Sequence, residues 1–283
     1  MLLKHRIPII GKIALQRNDL NREKNELISE LDQSRQEIEH LKEIIGARES
    51  GKYANSRLFC LEGVLLDIPE NILSEKFKSD LMNGTYEDKE LGPIKSNLKS
   101  DDIVLELGAA VGFISTWVAK QLGVGRVITY EANPNIIPVA KNTHKINEVK
   151  VELHHALVGS GASNEGIRFF VDKTFFWDSG VYARAHNNGS VREEVVVRQK
   201  SFQEILYKER PTILIIDIEG GEKGLFDNVK ELDSVRHIFF ELHTFIGPNE
   251  IYKIFKRLDD LGFYYDTEFS KDYIATFSRK KSA

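Results

Sequence analysis

Short apolar runs alternate with stretches of helical periodicity from about Ser56 onward, and this alternation constrains the fold more than any other feature. It is typical of helices packed on a mostly parallel β-sheet. The predicted strands are Ile103 to Leu107, Val127 to Glu131, Val149 to Leu153, Ile213 to Ile218, His237 to His243, Phe263 to Asp266 and Tyr273 to Ser278. The predicted helices are Phe113 to Leu122, Pro134 to Ile146, Phe202 to Tyr207, Glu222 to Phe226 and Asn249 to Leu261. The sequence therefore predicts an α/β fold.

The alternation breaks between Ile167 and Val197, where two extended pieces flank the aromatic stretch FFWDSGVY. This pattern predicts an insertion, and insertions in such folds often shape a substrate pocket. Trp177, in the aromatic stretch, is a candidate for stacking against a sugar ring, and packing inside the insertion is the alternative.

A coiled coil is predicted for residues 13–45, which contain no proline or glycine. Apolar residues recur there at heptad spacing, with polar interruptions at Arg17, Lys24 and Ser34. Charges at the flanking positions pair Glu30 with Arg35 and Glu37 with Lys42 in a parallel, in-register partner. We therefore expect a parallel homo-oligomer, most simply a dimer, with a single helix folded back on the body as the alternative. The apolar heptad residues are Ile13, Leu20, Leu27, Leu31, Ile38, Leu41 and Ile45.

The predicted organisation has four parts: an N-terminal segment (1–12), the coiled coil (13–45), a linker (46–55) and a globular domain (56–283). Basic residues, a proline and a glycine interrupt the first segment too often for a membrane-spanning helix. A single cysteine, Cys60, favours the reducing cytoplasm. The mixed basic and apolar composition of the first segment also makes it a candidate for peripheral membrane or protein contact.

The loop after the first predicted strand contains two glycines, four residues apart, in the stretch VLELGAAVGF. In an open parallel sheet, ligands bind beyond the carboxyl ends of the strands, where the strand order reverses. Gly108 allows a tight turn there, and Gly112 lets the following helix approach a ligand. The spacing differs from the G-x-G-x-x-G pattern that binds a dinucleotide pyrophosphate, although a dinucleotide stays an alternative. The loop therefore favours a ligand without phosphates.

S-adenosylmethionine is a ligand of this kind. Glu131 ends the second predicted strand and is placed to accept both ribose hydroxyls, while Glu106 could face the ammonium or sulfonium side. Asn133 and Pro134 are also expected to begin a helix. The full set of expected cofactor contacts is Glu106, Gly108, Ala109, Gly112, Phe113, Glu131, Ala132, Asn133, Ala156 and Asp217.

Several segments occur in the order NGTYEDKE, DIVLELGAAVGF, ITYEANP, HHALVG, LIIDIEGGEKGLFDN and IFFELH. In these segments the chain resembles the FkbM family of S-adenosylmethionine-dependent methyltransferases, over about Asn83 to Ser278. The resemblance implies a seven-stranded, Rossmann-like class I methyltransferase fold and methyl transfer to a hydroxyl, usually on a sugar, polyketide or related natural product. Two positions depart from the family. Members commonly carry a lysine where this chain has Ile215 and Ile216, and many have aspartate at the position of Glu106.

Carboxylates and a histidine follow the fourth and fifth predicted strands. Methyl transfer to oxygen requires an aligned acceptor and a group that takes the hydroxyl proton. His243 is the expected base because free histidine titrates near neutrality, and a packing histidine is the alternative. The other expected catalytic residues are Asp217 and Glu219, and the expected substrate contacts are Glu222, Glu241 and Trp177. No metal is expected, although the grouped carboxylates leave a magnesium ion as an alternative.

These observations favour an O-methyltransferase acting on a hydroxyl of a sugar, glycan or related natural product. The alternative is a scaffold or binding protein that keeps the fold, has little or no turnover and acts through its coiled coil. A nucleic-acid methyltransferase is disfavoured, because the net charge is -4 and no N/D-P-P-Y-like motif follows the fourth predicted strand.

Overall fold

The computed structural model describes residues 56–280 apart from 124, 174 and 183–191, together with residues 20–29, 31, 32, 34, 35, 38 and 42. The chain divides into two compact units, residues 1–55 and residues 56–283. Among the described residues, no helix has the length and apolar content needed to cross a membrane.

The described residues of the first unit are helical. Four apolar residues of the predicted heptad pattern are exposed: Leu20, Leu27, Leu31 and Ile38. Ion pairs along the helix join Arg22 to Glu26 and Arg35 to Asp32. The remainder of the predicted coiled coil, the N-terminal segment and the linker lie outside the described residues, so the coiled coil itself stays a prediction.

The second unit contains twelve described strands and six described α-helices. The strands are β1 (Ser56–Leu61), β2 (Val64–Pro69), β3 (Ile103–Leu107), β4 (Arg126–Glu131), β5 (Glu152–His155), β6 (Leu157–Gly159), β7 (Ser163–Asp172), β8 (Arg192–Ser201), β9 (Ile213–Ile216), β10 (His237–Glu241), β11 (Phe263–Tyr265) and β12 (Ile274–Arg279). The helices are α1 (Glu75–Asn83), α2 (Asp88–Asn97), α3 (Phe113–Gln121), α4 (Ile137–Ile146), α5 (Phe202–Glu209) and α6 (Pro248–Asp260).

A seven-stranded sheet forms the centre of this unit, in the order β11-β12-β10-β9-β3-β4-β5. Strands β5, β4, β3, β9 and β10 pair in parallel, and β12 is antiparallel to both of its neighbours. Neighbours β3 and β9 mark the point where the strand order reverses, and ligands bind at such a point in open sheets. This topology confirms the predicted Rossmann-like class I methyltransferase fold.

The sequence of strand β9 is continuously apolar because the strand is buried on both faces. All four of its residues are buried, because the sheet is covered on both faces. Ile215 belongs to the core cluster on one face and Ile216 to the cluster on the other. The position where the family commonly has a lysine is therefore a core position in this chain.

Most predicted elements form within a few residues of their expected bounds; one differs in kind, and one helix begins later than expected. The helix expected from Glu222 is instead a series of turns over residues 219–228. Helix α4 begins at Ile137 rather than at Pro134, because the Asn133 side chain accepts a hydrogen bond from the backbone N–H of Asn135 at 3.0 Å. Asparagine side chains often close local turns of this kind in place of a helix cap.

The insertion folds into a smaller sheet of three strands, in the order β6-β8-β7. Strand β7 pairs antiparallel with β8, and the chain between them returns to the main body through a short 3-10 helix, Phe176–Asp178. The hairpin β1–β2 and helices α1 and α2 precede the main sheet. Ser74 is the N-cap residue of helix α1, and its hydroxyl accepts a hydrogen bond from the Phe77 N–H.

Candidate active site

A cavity of about 520 Å³ opens beyond the carboxyl ends of the central parallel strands. The loops after β4 and β5 supply one side of its wall, and the loops after β9 and β10 supply the other. Helices α1 and α2 and the insertion complete the wall. The lining residues used below are Lys76, Phe77, Asp80, Tyr86, Glu87, Lys89, Glu90, Gly108, Ala110, Glu131, Ala132, Asn133, Ala156, Leu157, Trp177, Asp217, Glu219 and Glu241.

Gly108 is the point where two of these loops touch. Its φ is +91°, and a Cβ atom placed on it would overlap the carbonyl oxygen of Asp217. Two backbone hydrogen bonds keep the loops in this position, from the Asp217 N–H to the Leu107 carbonyl at 2.9 Å and from the Gly108 N–H to the Tyr130 carbonyl at 2.8 Å. Only glycine fits here, because the backbone of β9 occupies the space of a side chain.

Glu131 is held in the cavity wall by backbone donors. One carboxylate oxygen accepts the Ala110 N–H at 2.9 Å, and the other accepts the Asn133 N–H at 2.6 Å. Burial raises the pKa of Glu131, and the hydrogen bonds from Asn133 and Ala110 oppose this effect. A carboxylate oxygen has more than one acceptor site, so both oxygens can accept a further hydrogen bond from a ligand.

The expected cofactor contacts separate into two groups. Six of them line the cavity: Gly108, Glu131, Ala132, Asn133, Ala156 and Asp217. The other four do not line it: Glu106, Ala109, Gly112 and Phe113. For these four, the cavity lining gives no support to direct contact with the cofactor, which stays a prediction.

Packing accounts for the residues that lie behind the wall. At Gly112, where φ is +81°, a Cβ atom would come within 3.0 Å of the His144 ring and 3.1 Å of the Ala140 backbone, so the glycine serves the close approach of α3 to α4. Phe113 is a core residue, only 1% exposed, and Ala109 is 3% exposed. Their apolar surface is used inside the fold, where it is unavailable to a ligand.

Glu106 is also buried inside the fold, at 2% exposure. Burial raises its pKa to about 7, and hydrogen bonds with Thr129 and Ser115 lower it in part. The side chain therefore lies beneath the glycine loop, where it cannot touch the charged end of a cofactor directly.

Carboxylates surround His243 at the ends of β9 and β10. Its Nδ1 atom lies 2.6 Å from an oxygen of Glu222, whose side chain is fully buried. Its Nε2 atom lies 3.3 Å from Glu219, 3.6 Å from Glu241 and 3.8 Å from Asp217. Every neighbour in this set is a potential hydrogen-bond acceptor, so the geometry favours a positive charge on or beside the ring.

This arrangement favours a protonated His243, and its role as the catalytic base stays a prediction. Burial lowers its pKa, but hydrogen bonds to Glu219 and Glu222 and the charge of Asp217 outweigh burial and raise the pKa to about 11. An imidazole that already carries its proton at neutral pH cannot take one from a hydroxyl. Glu222, an expected substrate contact, lies behind His243 and does not line the cavity.

Asp217, Glu219 and Glu241, in contrast, all line the cavity as predicted. Burial raises the pKa of Glu241 to about 7; the charge of His243 opposes this shift, and Glu90 and Glu219 add to it. Burial and the charges of Glu241 and Glu219 raise the pKa of Asp217 well above its usual range. The wall at this side of the cavity is thus rich in carboxyl groups that hold their protons more tightly than usual.

Comparison with protein families places a model of the FkbM methyltransferase domain on residues 106–265. The chain belongs to the FkbM methyltransferase family. It is accordingly a methyltransferase, and its cofactor is S-adenosylmethionine. Comparison with curated proteins returns no match.

Similar solved structures include three methyltransferases of low sequence identity. The precorrin-6y C5,15-methyltransferase of Geobacter metallireducens GS-15 is 14% identical, with a TM-score of 0.40, 74% of this chain covered and 91% of that chain. The ribosomal protein L11 methylase of Lactobacillus delbrueckii subsp. bulgaricus is 12% identical, with a TM-score of 0.40 and coverages of 71% and 81%. The tRNA (uracil-54, C5)-methyltransferase of Pyrococcus abyssi, solved with S-adenosyl-L-homocysteine, is 12% identical, with a TM-score of 0.43 and coverages of 80% and 43%.

The cavity of this FkbM methyltransferase suits S-adenosylmethionine. Its volume of about 520 Å³ lies in the range of small-molecule sites. The Glu131 carboxylate is available to the ribose hydroxyls, and the small side chains of Ala132 and Ala156 leave room for the flat adenine ring. Gly108 and Asp217, beside the strand-order reversal, are then next to the methionine end.

Sequence reasoning missed the part that α2 plays in the FkbM site. Tyr86, Glu87 and Glu90 line the cavity opposite the strand ends, and the charge of Glu90 helps to raise the pKa of Glu241. Burial raises the pKa of Glu87 well above its usual range, and the charge of Glu90 adds to this shift. The signal was present in the segment NGTYEDKE, which supported the family resemblance but was not connected with the site.

Basic and aromatic side chains complete the wall. Its two lysines are engaged in ion pairs, Lys76 with Asp80 at 2.6 Å and Lys89 with Asp272 at 3.0 Å. Trp177 lines the cavity and also packs edge-on against Phe77, with ring centroids 5.7 Å apart. Trp177 therefore lies at the cavity and also packs against its neighbours, and its contact with a substrate stays a prediction.

Proposed function

We propose that this methyltransferase modifies a hydroxyl group of a neutral, polyhydroxylated acceptor such as a sugar or glycan. The observation that carries the proposal is the shared cavity, whose wall contains Glu131 on one side and Asp217, Glu219 and Glu241 on the other. A cofactor with its ribose at Glu131 leaves the acidic side of the cavity for the acceptor.

The chemistry needs a proton acceptor beside the attacking oxygen. Bound S-adenosylmethionine supplies an electrophilic methyl group; a new C–O bond forms on the acceptor, and the electrons of the broken C–S bond stay on sulfur. We assign the acceptor proton to Glu241, which lines the cavity and whose side chain is 21% exposed. A carboxylate within hydrogen-bond reach of the hydroxyl can act as the general base.

The charges of the wall favour a neutral acceptor over an anionic one. Glu87, Glu90 and Asp217 all face the cavity, and both of its lysines are engaged in ion pairs. A phosphate or carboxylate on the acceptor would meet carboxyl groups here, because the two lysines of the wall are already paired with Asp80 and Asp272. The Trp177 ring offers an apolar surface of the kind that packs against a sugar ring.

A methyl-transfer assay tests this proposal. The full-length protein is incubated with methyl-labelled S-adenosylmethionine and with neutral glycans, phosphorylated sugars and amines in parallel. We expect label on the oxygen of a neutral glycan and at least a roughly 100-fold loss of turnover in Glu241→Gln, since general bases contribute about that much. Glu165→Gln, which changes an exposed acid outside the cavity, serves as the matched control.

Three outcomes would contradict the proposal. The first is label on nitrogen only, and the second is full turnover in Glu241→Gln. The third is cofactor binding without transfer to any acceptor in the panel, which would favour a scaffold or binding role.

We also propose that residues 13–45 join two copies of the chain in parallel. The support is the heptad pattern together with the exposure of Leu20 and Leu27, at 65% and 64%. Light scattering on the full chain and on a form that begins at Gly46 tests this. A truncated protein with the same oligomeric state as the full chain would show that the coiled coil is not the oligomerisation element.

A further inference from the structure

We propose that Asp217, Glu219 and His243 form a binding site for one divalent metal ion, with Glu222 as the residue that positions His243. One ligand atom from each of the three residues lies within 4.8 Å of the others. The binding of the ion stands on this geometry alone, whereas its part in catalysis rests on the proposed O-methylation.

The spacing of the ligand atoms suits an ion between them. Two atoms that each lie about 2.1–2.2 Å from an ion are roughly 3 Å apart at a right angle and about 4.3 Å apart when opposite. The Nε2 atom of His243 lies 3.3 Å from Glu219 and 3.8 Å from Asp217, between these limits. Binding therefore requires only small movements of the side chains.

The orientation of His243 is an independent observation that points to a metal ion. Metal-binding histidines commonly donate their second ring N–H to a carboxylate, which fixes the ring and its tautomer. Here Nδ1 contacts the Glu222 carboxylate at 2.6 Å, and the Glu222 side chain is 0% exposed. This contact turns Nε2 toward the carboxylates, where it binds an ion that displaces its proton.

A further observation concerns Asp217. Its Oδ1 atom is buried and has no hydrogen-bond partner among the described residues. A buried, unsatisfied carboxylate oxygen costs free energy, and a coordinated cation removes that cost. Because Asp217 and Glu219 also line the cavity, an ion can enter the site from solvent.

The ligand set indicates the class of ion. Carboxylate oxygens suit hard cations such as Mg²⁺ and Mn²⁺, and an imidazole nitrogen shifts the preference toward transition metals. A Mn²⁺-type ion accommodates both. In the proposed reaction, such an ion would bind the acceptor hydroxyl and make it easier to deprotonate, with the proton passing to Glu241.

A Mn²⁺ titration of the full-length protein tests the site without any acceptor. After treatment with a chelator, the protein is titrated with MnCl₂, and unbound Mn²⁺ is measured by its electron paramagnetic resonance signal. We expect about one ion per chain, and at least roughly tenfold weaker binding in Asp217→Asn and in Glu219→Gln. Glu222→Gln is expected to weaken binding less, because it alters only the positioning of His243.

Asp80→Asn is the matched control, since Asp80 is an acid of the same cavity wall that pairs with Lys76 at 2.6 Å. We expect it to bind Mn²⁺ as the unchanged protein does. Circular dichroism checks that each variant is folded. The proposal is overturned if the unchanged protein binds Mn²⁺ no better than Asp217→Asn, or if Asp80→Asn loses as much affinity as the ligand variants.

The failure of this site and the failure of the proposed function can be told apart. Full transfer to a glycan hydroxyl in the presence of a chelator, with no Mn²⁺ bound, would refute the metal site and support the proposed O-methylation. Specific Mn²⁺ binding without transfer to any hydroxyl would support the metal site and refute the proposed reaction.

Discussion

Replacement of Glu131 by glutamine is the sharpest test of how this protein holds its cofactor. In the unchanged protein both carboxylate oxygens accept backbone N–H groups, one from Ala110 and one from Asn133. A glutamine has only one oxygen, so its NH₂ group must face one of these two donors. The variant also loses the charge that strengthens hydrogen bonds from the ribose hydroxyls.

The magnitude follows from these contacts. A hydrogen bond to a charged group is worth about 1.5–3 kcal/mol, and the variant weakens those that the ribose hydroxyls donate to Glu131. We therefore expect a loss of about 3 kcal/mol in binding free energy, which corresponds to a roughly 100-fold higher Kd. The backbone donor that faces the glutamine NH₂ is unsatisfied in the free and the bound protein alike, so it lowers stability and leaves the affinity unchanged. Isothermal titration calorimetry with S-adenosylhomocysteine measures the Kd directly, and circular dichroism confirms that the variant is folded.

Glu106→Gln is the matched comparison, because Glu106 is also a buried acid near the glycine loop but does not line the cavity. We expect its Kd to stay within roughly threefold of the unchanged protein. If folded Glu131→Gln bound S-adenosylhomocysteine with unchanged affinity, or if Glu106→Gln were the weaker binder, the assignment of the ribose to Glu131 would be refuted.

Three further predictions concern stability and acceptor binding. Gly108→Ala is expected to lower the free energy of unfolding by more than about 3 kcal/mol in urea denaturation, because its Cβ would overlap the Asp217 carbonyl, whereas Gly161→Ala has open space and should change it by less than about 0.5 kcal/mol. Similar losses in both variants would contradict the close contact of the two loops.

Glu106→Gln should also alter the dependence of stability on pH. Because burial raises the Glu106 pKa from 4.5 to about 7 in the folded state, the unchanged protein loses stability as the pH rises through this interval. Between pH 4 and pH 8, the free energy of unfolding of Glu106→Gln should therefore rise by about 3 kcal/mol relative to that of the unchanged protein. Parallel curves of stability against pH would contradict burial of the charge. Trp177→Ala should raise KM for a sugar acceptor by about tenfold while the Kd of S-adenosylhomocysteine stays unchanged, and an unchanged KM would exclude stacking of the acceptor on this ring.

The strands and their order along the chain could be predicted well, since buried parallel strands have a local signature of short apolar runs. Strand β9 is such a case, with four consecutive buried residues. The helix expected from Glu222 was wrong for a physical reason. The Glu222 carboxylate contacts His243, and residues 219–228 form turns that allow this contact.

The structure places Glu131, which ends a strand, and Asp217, which directly follows one, at the cavity wall. Gly112 lies away from the wall, where it allows close packing of two helices. Sequence patterns show which residue types follow a strand, but not whether a side chain meets solvent or a neighbouring helix. Glu90 was missed because helix α2 lies far from β10 in sequence and meets it only in the folded chain.

The amino-acid sequence alone determined the α/β class, the glycine loop, the acid after β4 and the family resemblance. These features are local, since hydrophobic periodicity and turn residues act over a few positions. The tertiary structure decided the state of His243 and the contact of Gly108 with Asp217. Both depend on groups that different strands bring together, and the pKa of a side chain is set by its neighbours in space rather than by those along the chain.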